Sequence, residues 1–207
     1  MPRITPERRE AKRAEIVTAA RRCFARDGFH QTSMPDIAAE AGVSAGAPYR
    51  YFASKEEIIL AITGDTFRLI FDPVRRLADG ADAPTVADLV LACLEPIGGQ
   101  SVTDAAGHDV CVDELLRCAV QTWSELLRND DIHARANEGF DGVRASIAHA
   151  LRRGQQADTV PAALDPDQGA RTVMGLLHGF LLQRVAFGLT DTSGLAAGLR
   201  AVLGPAG

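Results

Sequence analysis

No apolar run in this 207-residue chain approaches the roughly 18 residues that span a bilayer, because charged or polar residues interrupt every candidate. No membrane partner is therefore expected. The N-terminus, MPRITPERREAKRAE, is charged and has no apolar stretch of the signal-peptide kind, so the cytoplasm is the expected compartment. The four cysteines, Cys23, Cys93, Cys111 and Cys118, form no C-x-x-C pair and no zinc-ribbon spacing, and read as small buried apolar side chains. His108, Asp109, Cys111 and Asp113 crowd together, but acceptable ligands cluster this way by chance, and no metal is expected. G-x-S-x-G, G-x-x-x-x-G-K, a strand-borne G-x-G-x-x-G and H-E-x-x-H are all missing, so neither catalysis nor a cofactor is expected. There is no internal repeat, no low-complexity tract and no sustained period-2 alternation. Lysine is scarce, with Lys12 and Lys55 alone among 22 basic residues.

What remains is helical periodicity, and the fold it predicts is all-α. Apolar residues make up 46% of the chain and charged residues 24%, an ordinary balance for a soluble protein. The net charge of −5 hides an asymmetry: residues 1–55 hold ten basic and six acidic side chains, the rest twelve and twenty-one. A polyanion would therefore meet the front of the chain. The basic N-terminal residues Arg3, Arg8, Arg9, Lys12 and Arg13 are either a solvated helix face or an arm that reaches a minor groove.

Thr5-Pro6 opens a first helix that Gly28 ends. Ser33-Met34-Pro35-Asp36 is a capping box for a second, short helix that Gly42 breaks, and Ser44 is placed to cap a third. Ser54-Lys55-Glu56-Glu57 caps a longer helix carrying Ile58, Ile62, Leu69 and Ile70. Residues 79–85 form a loop before a helix through Leu89 and Leu94. The stretch from Glu95 to Asp109 breaks the periodicity, which resumes near Val110 with Val112, Leu116, Ala119, Trp123 and Leu126 on one face. Helices follow over 131–153 and 165–188, the second apolar on most of its circumference, and a short one starts at Thr192.

Two short helices around a glycine turn make a helix-turn-helix, whose second helix enters a major groove. At about 100° per residue, Ala45, Gly46, Tyr49 and Arg50 share one face, and Pro48 and Phe52 lie opposite, towards the core. Pro48 as the fourth helical residue costs only the first i→i−4 bond, and a 3₁₀-like first turn would absorb the strain.

Residues 10–58, EAKRAEIVTAARRCFARDGFHQTSMPDIAAEAGVSAGAPYRYFASKEEI, resemble the N-terminal domain of the TetR/AcrR family of transcriptional regulators, with TSMPDIAAEAGVS, YRYF and SKE in family order. The resemblance implies a three-helix DNA-binding domain over 1–53 and a larger helical ligand-binding and dimerisation domain over 54–207. It implies phosphate contacts from Ser33, Ser44, Tyr49 and Lys55, and base-edge contacts from Ala45, Gly46 and Arg50. Tyr51 sits between the two faces and stays open between core and DNA. The family often has lysine where Ala45 stands and threonine-leucine where Ala47-Pro48 stand, which shifts base reading towards Arg50. The later chain resembles the family in length, helical pattern and a segment running from Gly154 through Asp158 to Asp165-Pro166.

The partners this reading implies are double-stranded operator DNA, a second copy of the chain and a small-molecule effector. Candidate ligand-binding residues are Phe67, Arg68, Phe71, Cys118, Gln121, Trp123 and His178, with Trp123 also readable as core and His178 as a core or interface histidine. The long helices over 131–153 and 165–188 are the interface candidates. Control by a protein partner or by thiol oxidation is the alternative to a small molecule.

Overall fold

The computed structural model describes residues 5–103, 107 and 109–203; Arg3 and His108 lie outside them. The elements are α1 (Pro6–Asp27), α2 (Met34–Glu40), a 3₁₀ turn (Pro48–Arg50), α3 (Lys55–Asp79), α4 (Val86–Leu94), a second 3₁₀ turn (Glu95–Ile97), β1 (Ser101–Thr103), β2 (Asp109–Cys111), α5 (Val112–Leu126), α6 (Asp130–Gln156), α7 (Pro166–Phe187) and α8 (Thr192–Leu203). The fold is mostly helical, with an N-terminal helix-turn-helix. Among the described residues no helix is long and apolar enough to cross a membrane.

Packing divides the chain into two compact units. The first holds the residues up to Thr66 together with Ser101–Ile132, and the second holds Phe67–Gln100 and the residues from His133 on.

In the first unit, α1 starts where Thr5 Oγ1 accepts the Arg8 N–H at 3.3 Å, and stops at Gly28, whose φ of 87° suits glycine. Its inward stripe of Ile16, Ala20 and Phe24 packs with Phe29, Ile37, Phe52, Ile58 and Ile62. Phe24 and Phe29 meet edge to face, with ring centroids 4.8 Å apart. α5 closes this core from far along the sequence. Cys118 is fully buried in it and donates its S–H to the Arg21 carbonyl at 3.7 Å. Arg21, itself buried, pairs with Glu114 at 3.4 Å.

The segment from Glu95 to Asp109 is not wholly irregular. Ser101–Thr103 pairs antiparallel with Asp109–Cys111, Val102 opposite Val110, so α5 begins at Val112 rather than Val110. Strands of three residues are too short to show alternation, which hides them in the sequence.

In the second unit, Val74, Leu89, Cys93, Ile147, Leu151, Val173 and Leu177 form the buried interior. Thr85 and Asp88 make a capping box at the start of α4, and Asp165 accepts the N–H groups of Asp167 and Gln168 to start α7. Two arginines, the buried Arg184 and the half-buried Arg153, finish helix ends. Arg184 donates to the carbonyls of Ile97 at 2.7 Å and Gly99 at 3.0 Å. Arg153 donates to five carbonyls between Leu77 and Asp82, including Ala78 and Gly80 at 2.5 Å each. Gly154 is required by close approach, because a Cβ there would stand 2.8 Å from the Pro84 carbonyl oxygen.

Candidate nucleic-acid interface

The second helix of the helix-turn-helix is shorter than the sequence predicts. After α2, Gly42 turns the chain at φ 63°, and the Val43 N–H closes back on the Ala38 carbonyl at 2.9 Å. Ser44 does not cap an α-helix. An α-helix starting there would need the Pro48 N–H to bond the Ser44 carbonyl, and proline has none. That carbonyl takes the Ala47 N–H instead, at 2.8 Å, and the Ala47 carbonyl takes the Arg50 N–H at 3.1 Å. Regular 3₁₀ geometry covers only Pro48–Arg50, so the tightening expected of one turn extends over the whole reading segment.

The division of faces survives the change of helix type. Pro48 and Phe52 are buried, and Ser44, Ala45, Gly46, Tyr49 and Arg50 are exposed. Tyr49 is 56% exposed, which rules out the core-aromatic reading. Tyr51 is half-buried and packs on the core. The Arg13 guanidinium lies over the Phe52 ring, 4.7 Å from its centroid, and clasps the end of the reading segment to α1.

An open cleft of about 370 Å³ runs beside this segment, lined by His30, Ser33, Tyr49, Ser54 and Lys55 among others. Ser33 accepts the Asp36 N–H at 3.3 Å, while the Asp36 carboxylate accepts the Ser33 N–H at 2.8 Å. The Ser33 hydroxyl also donates to Asp36 Oδ2 at 2.6 Å, and this bond, with the one from the Ser33 N–H, holds the Asp36 carboxyl below its ordinary range. At the start of α3 Ser54 Oγ accepts the Glu57 N–H at 3.4 Å as expected, while the Glu57 carboxylate accepts the N–H of Ala53 at 2.8 Å in place of that of Ser54.

Lys55 is more than a surface charge. Its Nζ donates to the carbonyls of Phe29 at 2.6 Å and Thr32 at 3.0 Å, which leaves one N–H for an outside acceptor. The cleft thus combines a fixed cation with the hydroxyls of Ser54 and Tyr49, the donor set that phosphate oxygens use, while the Ser33 hydroxyl is turned onto Asp36. His30 and the Phe29–Thr32 loop carry no binding signal in the sequence, where GFHQT reads only as a helix stop and Ser54 only as a helix cap. Among the basic residues of α1, Arg8 and Arg9 are exposed, Lys12 pairs with Glu15 and Arg13 with Glu10.

The seven candidate ligand residues fall into both units. Gln121 lies in the first, where its amide is committed to the end of α1: Nε2 donates to the Phe24 carbonyl and Oε1 accepts the Phe29 N–H, each at 3.0 Å. Cys118 fills the first core, and Trp123 is 45% exposed on α5 instead of packed on its apolar face. In the second unit, Phe67 contacts Phe71 and Phe140 with centroids at 4.6 and 5.1 Å, and Phe140 meets the His178 ring at 5.8 Å. Phe140 is the member of this aromatic cluster that the sequence shows only as a periodic apolar residue. Burial holds the His178 pKa below its ordinary value, favouring the neutral ring. Arg68 is exposed.

Three of the four thiols are buried, and burial pushes those of Cys93 and Cys118 up to about 12. Suppressed thiolates leave thiol oxidation without support at these positions.

Residues 16–62 match the family model described as bacterial regulatory proteins, tetR family, and residues 100–203 match the C-terminal model of BetI-type transcriptional repressors. YfiR of Bacillus subtilis, an uncharacterised HTH-type transcriptional regulator, is 43% identical over 155 residues, 74% of this chain and 70% of its own. Salmonella enterica GusR has the same fold, with a TM-score of 0.76 at 24% identity over 98% of this chain and 97% of that one. SmeT, the repressor of the Stenotrophomonas maltophilia multidrug efflux pump SmeDEF, superposes with a TM-score of 0.68 at 25% identity over 91% of this chain and 89% of its own. A SmeT–triclosan complex has a TM-score of 0.66 at 26% identity, covering 93% and 91% of the two chains.

Proposed function

Since the chain belongs to the TetR family, whose members are transcriptional regulators and not enzymes, we propose that it is a homodimeric repressor of a palindromic operator, released by a small, largely apolar ligand. The observation that carries this reading is the cleft gathering Ser33, Tyr49, Ser54 and Lys55 beside an exposed Arg50. On this reading Ser33, Ser44, Tyr49 and Lys55 hold backbone phosphates, while Ala45, Gly46 and Arg50 face base edges and Tyr51 supports the turn from the core side. Residues 1–53 read the DNA and residues 54–207 carry effector binding and dimerisation, in the cytoplasm where the operator lies.

A reading segment this short covers few base pairs, so specificity requires two copies. Genomic fragments recovered on the purified protein should share an inverted repeat with half-sites about one helical turn, ~10 base pairs, or a multiple apart. Recovery of no enriched fragment overturns the reading. Arg50→Ala should relax preference at one base position in each half-site at a cost of ~1–3 kcal/mol, read by competition against single-position operator variants.

The dimer surface that the structure favours is the outer face of α7 with α8. Leu176, Leu182, Phe187 and Val202 are exposed there, and Gly175 and Gly179 have open space beside their Cα atoms. The outward positions of α6, by contrast, carry mostly polar side chains such as Arg135, Asn137, Glu138, Asp141 and Arg144. The paired substitution Leu176→Glu and Leu182→Glu should give a monomer in sedimentation at micromolar concentration where the parent is a dimer. For the effector, the Phe67, Phe71, Phe140 and His178 cluster supplies apolar and aromatic surface with one neutral polar group. The SmeT–triclosan complex supports a small molecule as the effector.

A further inference from the structure

We propose that His30 is a further DNA-contacting residue, which binds phosphate as an imidazolium so that DNA binding takes up a proton. The inference rests on the phosphate-binding reading of the cleft, whose wall His30 helps to form.

The ring is exposed, and its Nε2 stands 3.1 Å from Oε1 of Glu125, a largely buried side chain on α5. A carboxylate only accepts, so Nε2 keeps its hydrogen in either charge state and the charge of the ring is decided at Nδ1. On the neutral ring Nδ1 offers a lone pair, which repels a phosphate oxygen. On the protonated ring it offers a second N–H, which the phosphate accepts as a charge-assisted hydrogen bond.

The loop that carries the ring is held on both sides. Gln121 of α5 accepts the Phe29 N–H, and Lys55 of α3 donates to the carbonyls of Phe29 and Thr32. Glu125 and Gln121, one helical turn apart, thus fix His30 of the cleft wall and the buried Phe29 before it. The titratable and charged groups facing His30 are Glu125 from α5, with Lys55 from α3 and Tyr49 from the reading segment across the cleft. At the end of α1, Arg26 is taken up by Asp27 and Glu40. Among these side-chain types, histidine is the one that ordinarily titrates between pH 5 and 8. Glu125 acts through the ring as a positioning residue.

The test is fluorescence anisotropy of a labelled genomic fragment enriched by the protein, with a random-sequence duplex alongside, from pH 6 to 8 at constant ionic strength. Affinity of the parent protein should rise about fivefold per half-site as the pH falls from 8 to 6, if the phosphate contact strengthens proton binding by about tenfold. His30→Gln should show no such rise between pH 8 and pH 6, with an unchanged circular dichroism spectrum. His133→Gln, on α6, should keep the rise. Glu125→Gln, whose amide oxygen still accepts from Nε2, should also keep it, and Glu125→Leu should weaken it. A parent protein whose affinity ignores pH, or a rise that survives His30→Gln, overturns the proposal. Equal behaviour of the two Glu125 variants overturns the positioning role. A protein that binds neither duplex at any pH sinks the DNA-binding reading itself.

Discussion

Lys55→Glu protein is expected to fold and to bind its enriched DNA fragments at least a hundredfold more weakly than the parent. The ammonium it removes is anchored by two carbonyls of the α1–α2 loop and has one N–H left over for a phosphate. The carboxylate that replaces it cannot accept from those carbonyls, so it turns outward, towards the phosphates it repels. Loss of a cationic contact and gain of a like charge, each in two half-sites, reach about 3 kcal/mol or more, which is roughly a hundredfold. Lys55→Met separates the two effects. It removes the charge without adding repulsion, weakens all sequences alike, and makes the salt dependence shallower by about one unit per half-site. Filter binding across a salt series reads both. Binding of Lys55→Glu at parental strength would mean that phosphate does not enter this cleft.

Arg153→Met should lower the melting temperature by roughly 6–12 °C in scanning calorimetry, corresponding to about 3 kcal/mol for a chain of this size. The guanidinium gathers five carbonyls at and after the end of α3, from Leu77 to Asp82. A helix end leaves its last carbonyls without intrahelical partners, and here one side chain satisfies several of them at once. Methionine keeps much of the apolar stem and none of the donors, so the loss measured is that of the hydrogen bonds. A shift below about 2 °C would show that water replaces the arginine at little cost.

How much of this was legible in the sequence depends on the distance over which each feature is made. Thr5-Pro6, Ser33 with Asp36, and Asp165-Pro166 act within one turn, and each starts a helix as its local chemistry dictates. The faces of the reading segment were legible too, with Ala45, Gly46, Tyr49 and Arg50 exposed and Pro48 and Phe52 buried, although 3₁₀ spacing by itself would align Tyr49 with Phe52. The helix type was not, since whether Pro48 tightens one turn or the whole segment is decided by what Pro48 and Phe52 pack against. Gln121 lies opposite the Val112, Leu116, Ala119, Trp123 and Leu126 face expected of α5, and no local pattern says that its side is covered. That α1 covers it is a contact across more than ninety residues. The carbonyl partners of Lys55 and the Glu125 partner of His30 are distant in the same way.

The placement of α5 also constrains the order in which the chain acquires structure. Cys118 completes the core beneath the reading segment, and Gln121 ties off α1, yet both are made about seventy residues after the last residue of that segment. During synthesis the front of the chain must wait for α5 before its interior closes, so its contacts are non-local and slow to form. A fragment cut at residue 53 would lack that closing helix. Reading DNA can be assigned to the first quarter of the chain; the ability to fold into the reading shape belongs to a longer stretch.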